Sequence, residues 1–347
     1  LSFTVPEMKL PSNNRYAGIA NTVTGVANRT FNSNGSLIYG AGNEITNSIT
    51  NISAPSDSGS SAKEFADKLR TAITGSKSGG ATLAIGGGNK ADYTQKTSII
   101  GVNNTVTGTS GSPSTYNSIT GYNNTATNIN HVSVIGSENN VTNTNGAVVF
   151  GDKRTLTGAD GSVVIGSSQN GTSTSVKNAV AIGSEANVTV AGGVALGSGS
   201  VASVDKGTVG YDASGTNHNS DTTGVWKSTA SAVSVGDAAG NTKVTRQITN
   251  VAAGKEDTDA VNVAQLKAVK AAADAAKVHF FSVKGNSSDE NYNNDGATGD
   301  RALAVGVAAK AGGLKATALT GGNASGDFSF AVGNNAQAKG WGSVAIG

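Results

Sequence analysis

A short apolar run that ends in glycine recurs along most of the chain, and this repeat limits the fold more than any other feature. The recurring glycines are Gly86, Gly101, Gly121, Gly136, Gly151, Gly166, Gly183 and Gly197, separated by 15, 20, 15, 15, 15, 17 and 14 residues. A weaker strand pattern lies between the runs, as at 103–108, 140–143 and 187–190. Steps this short leave no room for a crossover helix, and Gly and Asn supply the positive-φ residues of turns. The repeat therefore predicts a mainly β fold, a parallel β-roll with one coil per repeat.

Each coil of such a roll has an apolar face of Val, Ile and Ala that a thin monomer leaves uncovered. The chain has 48 Gly, 5% aromatic residues and one Met, so it lacks the bulky side chains of a compact enzyme core. Stacking of coils covers strand edges but not this face. Hiding a Val and an Ile per coil between chains contributes roughly a few kcal/mol per repeat. We therefore expect an obligate homotrimer.

The first part of the chain departs from the repeat between Gly40 and Gly86, over about three coils' length. Residues 61–64 (Ser-Ala-Lys-Glu) match a capping box, and apolar residues follow at helical spacing until Gly75. These apolar residues are Phe65, Ala66, Leu69 and Ile73. We predict a short amphipathic helix inserted into the roll near residues 51–80.

The glycine repeat fades after Gly236, and a heptad pattern follows. Its seam residues are Asn262, Leu266, Val269, Ala273, Ala276 and Phe280, spaced 4, 3, 4, 3 and 4 apart. A coiled coil of about 30 Å is marginal alone, so we expect support from the domains at its ends. Residues 278–283 are predicted to form a strand, after which the roll repeats resume.

Two stretches, 245–254 (TRQITNVAAG) and 258–267 (TDAVNVAQLK), resemble the neck of trimeric autotransporter adhesins. The Ser-Val-Ala-Ile-Gly type of run, as at 343–347, is similar to the head repeats of the same YadA-like family. The resemblance implies left-handed parallel β-roll heads in a homotrimer, joined through a neck to a narrow coiled coil. It also implies an extracellular passenger at the cell surface and outer membrane of a Gram-negative bacterium.

The domain boundaries predicted on this basis are as follows. A β-roll head occupies 1–241 with the helical insertion near 51–80, a neck 242–266, a short trimeric coiled-coil stalk 267–279, and the start of a second β-roll head 280–347. No segment carries eighteen consecutive apolar residues, and the first residues lack a signal-peptide pattern. We expect any export signal or membrane anchor to lie outside this stretch.

Adhesion sites favour segments that a rigid scaffold displays, so the insertion is the predicted recognition site. The resemblance implies the faces of the roll as the alternative, and the sequence does not choose between the two. Its candidate receptor-binding residues are Lys63, Phe65, Lys68, Leu69 and Arg70. The apolar stripe through Phe65, Leu69 and Ile73 has two interpretations. It packs onto the roll or a neighbouring subunit, or it forms part of the recognition face.

The predicted trimer core consists of Asn262, Leu266, Val269 and Ala273. Asn262 has two interpretations. At a seam position three copies would meet at the axis, where they fix register or hold an anion. Alternatively, Asn262 begins the helix and faces solvent.

Several kinds of site are not predicted. The chain has no cysteine, which excludes disulfides, thiolate metal sites and cysteine nucleophiles. Its net charge of +2 is scattered, so no nucleic-acid partner is expected. No nucleophile elbow or phosphate loop is present, and we assign neither catalytic residues nor a cofactor.

A metal site is not predicted either. Asn291, Asn293, Asp295 and Gly296 match half of a calcium loop, but Ala302 stands where its bidentate Glu is needed, so a turn is favoured. The histidines lack a second His at ligand spacing and are assigned to turns or junctions. Trp226 is predicted to pack where the head closes against the neck.

Three functions compete on the sequence alone. The first is adhesion by a trimeric fibre that presents three copies of each site to host cell-surface receptors or to matrix proteins such as collagen. The second is a structural spacer or a self-association segment, with the binding tip elsewhere. The third is a β-helix acyltransferase, which is disfavoured because such coils follow a six-residue period and have no neck.

Overall fold

A computed structural model describes residues 17–52, 59–239, 243–276 and 282–347. The chain divides into two compact units, residues 1–260 and 261–347. The division lies within the predicted neck, whose boundaries, like those of the stalk, stay predictions. Most of the strand predicted at 278–283 lies outside the described residues, as does Phe280.

The first unit is built from many short strands and one helix. The strands are β1 (Thr22–Val26), β2 (Arg29–Phe31), β3 (Leu37–Ala41), β4 (Glu44–Thr46), β5 (Leu83–Gly87), β6 (Lys90–Asp92), β7 (Thr94–Gln95), β8 (Ser98–Val102), β9 (Thr105–Thr107), β10 (Ser114–Thr115), β11 (Ser118–Tyr122), β12 (Thr125–Thr127), β13 (Ser133–Ser137), β14 (Asn140–Thr142), β15 (Val148–Phe150), β16 (Arg154–Thr157), β17 (Val163–Ile165), β18 (Thr172–Thr174), β19 (Val180–Ile182), β20 (Asn187–Val188), β21 (Val194–Leu196), β22 (Val201–Ala202) and β23 (Val233–Ser234). Helix α1 (Ala62–Gly75) lies between β4 and β5.

Two long parallel sheets form the walls of this unit. The larger sheet has eleven strands in the order β1-β3-β5-β8-β11-β13-β15-β17-β19-β21-β23, and the smaller sheet has eight in the order β18-β16-β14-β12-β9-β6-β4-β2. The remaining strands pair as β7 with β10 and β20 with β22. Equivalent residues of successive coils stand opposite each other, as Gly121 does with Gly101 and Gly136. The predicted mainly β, parallel β-roll is therefore confirmed.

The core lies between the two sheets because alternate side chains of each strand point inward. The larger sheet contributes residues such as Ile99, Ile119 and Val134, and the smaller sheet contributes Val106 and Leu156. All five are fully buried. One inward side chain per strand gives a thin core, which leaves the outer faces of the sheets open to other partners.

Buried asparagines form a ladder beside the larger sheet, which we call the asparagine ladder. Its members are Asn28, Asn43, Asn89, Asn104, Asn124 and Asn139. The Asn124 amide donates to the Gly136 carbonyl at 2.7 Å, and its Oδ1 accepts the backbone N–H of Asn139 at 3.1 Å. Arg154 takes the next position and receives the same support from Asn139 Oδ1, at 2.9 Å. These bonds satisfy buried polar groups that the apolar core cannot.

Two insertions interrupt the first unit. Around α1, β3 pairs directly with β5 from Leu37↔Leu83 to Ala41↔Gly87, so the segment of about three coils' length adds no coil. The second insertion, residues 203–232, separates β22 from β23 and was not foreseen from the repeat. Arg246 binds the last coil by donating to the Ser198 carbonyl at 2.6 Å and to Ser200 Oγ at 2.9 Å.

The second unit contains helix α2 and three further coils. Its elements are α2 (Val263–Ala275), β24 (Leu303–Val305), β25 (Lys310–Ala311), β26 (Thr317–Leu319), β27 (Asn323–Ala324), β28 (Phe330–Val332), β29 (Gln337–Ala338) and β30 (Val344–Ile346). The coils stack as two parallel sheets, β24-β26-β28-β30 and β25-β27-β29. Buried alanines such as Ala311, Ala318 and Ala331 fill the space between them. The roll repeats therefore resume after α2, as predicted.

Candidate functional site

The buried side chain of Asn34 attaches both ends of the insertion that carries α1 to the roll. Its Nδ2 donates to the Thr50 carbonyl at 2.6 Å, and its Oδ1 accepts the backbone N–H of Gly80 at 2.8 Å. Thr50 and Gly80 are the points where the chain leaves and re-enters the roll. Buried Ile52 adds an apolar anchor on the leaving side. The roll therefore holds both ends of the insertion within reach of a single amide.

Helix α1 begins at a polar cap, as its sequence predicts. Ser61 is the N-cap residue, and its side chain accepts the backbone N–H of Glu64 at 3.2 Å. The predicted reciprocal bond differs in detail, because Glu64 Oε2 accepts the backbone N–H of Ser60 at 2.7 Å. The helix ends at Gly75, with Ser76 as its C-cap. These local bonds define the helix without any buried side chain of its own.

The basic candidates on α1 are paired with acids of the same helix. Lys63 Nζ lies 3.0 Å from Asp67 Oδ2, and Arg70 Nη1 lies 2.6 Å from Asp67 Oδ1. Lys68 Nζ lies 3.2 Å from Glu64 Oε1. Such exposed pairs contribute little to stability, but they offset the positive charge offered to a ligand.

The two acids of α1 are held in their charged form. Hydrogen bonds from the Ser60 backbone and hydroxyl lower the pKa of Glu64, and Lys68 lowers it further. Lys63, followed by Arg70, lowers the pKa of Asp67. The charged face of α1 is thus an internally paired network of three basic and two acidic groups at physiological pH.

The apolar candidates on α1 are more open to a partner. Phe65 is 44% exposed, and Leu69 and Ile73 are half-buried. The stripe is partly buried within the single chain, so both of its interpretations, packing and recognition, stay predictions. A neighbouring subunit or a ligand could cover the part that is exposed.

The second insertion forms an ordered polar loop with an aromatic stack. His218 stacks on Trp226 with 4.4 Å between ring centroids, and His218 Nε2 lies 2.9 Å from Asp212 Oδ2. Hydrogen bonds from the Ser214 hydroxyl, followed by His218, lower the pKa of Asp212 to about 2. The Thr223 hydroxyl is the main cause that lowers the pKa of Asp221 to about 2. Trp226 thus packs on its own loop. The only sequence signal for this loop is the gap in the glycine repeat.

The predicted trimer-core residues lie on α2. Asn262 is the N-cap and forms a capping box, in which its Oδ1 and the Gln265 side chain each accept the other residue's backbone N–H at 3.1 Å. These bonds agree with the interpretation that Asn262 begins the helix. That Asn262 also lies in a seam between subunits stays a prediction. Leu266 and Val269 are 64% and 66% exposed, and Ala273 is also exposed. Within one chain these residues form an uncovered apolar seam.

The half calcium loop is a turn held by its own first residue. Asn291 Oδ1 accepts the backbone N–H of Gly296 at 2.8 Å, and its Nδ2 donates to the Gly306 carbonyl at 3.0 Å. Over the part of the chain that the structure describes, no three His, Asp or Glu residues cluster as metal ligands. Among the same residues, neither helix has the length and apolar character needed to cross a bilayer.

Two family models match the chain in the regions just described. The coiled stalk of trimeric autotransporter adhesin matches residues 247–289, and the YadA head domain repeat matches 177–200, 297–319 and 324–347. The stalk match includes all of α2, and the head matches cover coils of both units. The predicted neck and head resemblances therefore have independent support.

Curated relatives carry the same family description. The chain is 57% identical to autotransporter adhesin BadA of Bartonella henselae over 77 residues, which are 22% of this chain and 2% of BadA. It is 52% identical to trimeric autotransporter adhesin AtaA of Acinetobacter sp. (strain Tol 5) over 73 residues, which are 20% of this chain and 2% of AtaA. It is 44% identical to autotransporter adhesin EhaG of Escherichia coli O157:H7 over 94 residues, which are 27% of this chain and 5% of EhaG. Each alignment spans a small part of a much longer relative.

One solved structure is also similar to the chain, the collagen-binding domain of Yersinia adhesin YadA. The match has 24% sequence identity and covers 55% of this chain and 83% of that chain, with a TM-score of 0.29. A TM-score this low supports no conclusion about shared geometry. The stalk and head models and the curated relatives agree with one another: in the matched regions the chain is similar to the YadA-like trimeric autotransporter adhesins.

Proposed function

We propose that the chain is part of the cell-surface passenger of a homotrimeric adhesin from the outer membrane of a Gram-negative bacterium. In this proposal, α1 attaches the cell to a host cell-surface receptor or to an extracellular matrix protein such as collagen. The observation that carries the attachment site is the partly exposed apolar stripe, with Phe65 44% exposed, of a helix whose two ends are held by the roll. Binding sites often use a segment that a rigid scaffold holds in place but does not fully bury.

The outer face of the larger sheet supports the homotrimer. One row of outward side chains is apolar in successive coils and exposed in the single chain. It contains Ile100, Ile135, Phe150, Ile165, Ile182 and Leu196, interrupted by Thr120. An apolar row of this length, broken at Thr120, favours burial against another protein surface. Two neighbouring copies of the same row would cover it around a common axis.

The exposed seam on α2 supports the same assembly. Leu266, Val269 and Ala273 recur at heptad spacing on a helix of 13 residues, which is too short to be stable by itself in water. Association of three copies would bury the seam and stabilise each helix. The roll and the helix thus favour the same oligomeric state through separate surfaces.

A charge placed in the seam should separate the subunits. We expect sedimentation equilibrium to show a trimer for the unmodified chain. Leu266→Asp should weaken it by about 3–5 kcal/mol per chain, because each carboxylate is buried without a partner. The matched control is Lys267→Asp, one position off the seam, which should keep the trimer mass and melting temperature. A folded monomer of the unmodified chain at micromolar concentration, or an unchanged trimer in Leu266→Asp, would show that this assembly is wrong.

Removal of the insertion should separate attachment from folding. Because Asn34 holds Thr50 and Gly80 together, a short Gly-Ser turn can replace residues 55–77 without strain on the roll. We expect this deletion to remain a folded trimer and to lose binding to cells and to surfaces coated with matrix proteins. Full attachment by the folded deletion trimer would move the search to the faces of the roll.

A point variant tests the same site with less disturbance. Phe65→Ala removes the most exposed apolar side chain of the stripe and should reduce attachment strongly. Thr71→Ala is the matched control, since Thr71 lies on the same helix and donates only to the Asp67 carbonyl, at 2.9 Å. Equal loss in both variants would indicate damage to the helix and not a contact with a ligand.

The spacer or self-association function is favoured by one observation. The basic residues of α1 are paired within the helix, as they would be on a surface that meets only solvent. Under this alternative the deletion trimer keeps whatever attachment the full chain has. Cell aggregation assays on the two forms would then show whether the segment joins adhesin fibres to each other.

A further inference from the structure

The outer face of the smaller sheet carries a regular array of threonines, which we call the threonine grid. It covers strands β9, β12, β14 and β16, each of which presents two outward residues around one buried residue. Its members are Thr105, Thr107, Thr125, Thr127, Thr142, Thr155 and Thr157, with Asn140 in the eighth position. None of these outward positions holds a charged or aromatic side chain.

The pairing register turns the grid into a two-dimensional lattice. Thr107, Thr127, Thr142 and Thr157 stand opposite one another in successive strands, and the other column is aligned in the same way. Adjacent strands are about 4.8 Å apart, and alternate residues of one strand are about 6.7 Å apart. The grid therefore repeats on a rectangle of fixed dimensions over four coils.

The hydroxyls of the grid are available to an external partner. Within the described residues, Thr142 alone among the seven threonines donates to another side chain, at 3.3 Å to Asn140 Oδ1. The other six hydroxyls make no hydrogen bond to the part of the protein that the structure describes. Thr125 and Thr157 are exposed, and the remaining threonines of the grid are partly exposed. Threonine is stiff at χ1, so each hydroxyl and methyl is held in place by a sheet that is itself rigid. Such preorganised groups lose little conformational entropy on binding.

This chemistry narrows the ligand class. Binding of a charged polymer requires charged side chains, and binding of a sugar chain usually uses stacking on aromatic rings. The grid contains neither kind of residue. A lattice of hydroxyls and methyls fits a partner that is itself periodic, hydrogen-bonding and uncharged. The oxygen atoms on a prism face of hexagonal ice repeat on a rectangle of comparable size. The grid also lies on the other sheet from the apolar row, so trimer formation through that row leaves it accessible.

We propose that the threonine grid is an ice-binding surface, at which ordered water joins the hydroxyl lattice to a crystalline water face. Each contact is weak, and the periodic match lets many of them form at once. The surface is separate from α1, and the proposal does not depend on attachment to a host.

The test is ice-affinity partitioning and thermal hysteresis with the full chain. The unmodified protein should be enriched in slowly grown ice and should shape ice crystals. Thr127→Tyr places a bulky ring in the middle of the grid and should abolish both effects, while the strand preference of Tyr preserves the fold. Thr222→Tyr, at an exposed loop position outside the grid, is the matched control and should bind ice as the unmodified protein does.

Thr157→Tyr, on the last strand of the grid, provides a second variant if Thr127→Tyr does not fold, as judged by circular dichroism. Exclusion of the unmodified protein from ice, or normal ice binding by either folded grid variant, would overturn the proposal. Parallel binding assays on microcrystalline cellulose and on fibrillar collagen test whether the grid binds a different ligand. Binding to either one that is lost in Thr127→Tyr, without ice binding, would also overturn it.

Discussion

Gly121→Ala should unfold the first head or prevent its assembly, with a loss of at least about 4 kcal/mol. Gly121 has φ of +135°, and a Cβ at this position would lie 1.8 Å from the Gly136 carbonyl oxygen of the next coil. The obstacle is backbone and cannot rotate away. The same methyl would lie 3.2 Å from Asn124 Nδ2, which donates to that same carbonyl. One added carbon therefore disturbs both the strand pairing and the asparagine ladder.

A second glycine provides the control for this prediction. Gly158 also has a left-handed φ, +64°, but a Cβ there would meet nothing within 4 Å. The equivalent corner of the preceding coil is occupied by Asn143, with φ of +50°. Gly158→Asn should therefore shift the thermal unfolding midpoint very little. If Gly121→Ala and Gly158→Asn melt at the same temperature, close packing of coils is not the reason for the glycine column.

Features that depend on local sequence could be predicted well. The apolar runs that end at glycines such as Gly121 and Gly136 predicted the strands of the larger sheet, because each run is read directly from neighbouring positions. Ser61 and Gly75 marked the ends of α1 because caps are formed by residues a few positions apart. For the same reason, the sequence allowed Asn262 to be interpreted as the start of α2.

Features that depend on distant partners could not be predicted. Arg154 stands between Lys153 and Thr155, so its neighbours in the sequence do not indicate burial, and its side-chain partners are 12 to 32 residues further along the chain. The loop at 203–232 has no period, and its Asp212, His218 and Trp226 come together only through folding. The exposed state of Phe65 depends on what the roll leaves uncovered, which spacing along a helix does not reveal. These features can be recognised only from contacts in the folded structure.

Arg154→Leu should destabilise the head by roughly 2–6 kcal/mol, about 1–3 kcal/mol for each of two carbonyls that lose their donor, although Leu is a more usual residue for a buried site. The Arg154 side chain is 1% exposed, and burial lowers its pKa, while Glu185 opposes that shift. Its guanidinium acts as a donor to three backbone carbonyls. Nε donates to Gly166 at 2.6 Å, Nη2 to Gly183 at 2.9 Å, and Nη1 to Ala186 at 2.9 Å. Leu would leave the Gly166 and Ala186 carbonyls without this donor, while the Gly183 carbonyl keeps the Ala186 backbone N–H at 3.2 Å.

Arg154→Asn distinguishes this account from a general cost of changing a buried residue. An Asn at 154 would continue the asparagine ladder and could donate to Gly166, as Asn124 does to Gly136. It is too short to reach Gly183 and Ala186, so the free energy of unfolding should fall between those of the unmodified protein and Arg154→Leu. Arginine ends the ladder for the complementary reason that it has no side-chain acceptor for the next backbone N–H. Chemical denaturation of the three proteins measures this order, and an Arg154→Leu protein as stable as Arg154→Asn would show that the carbonyls find other donors.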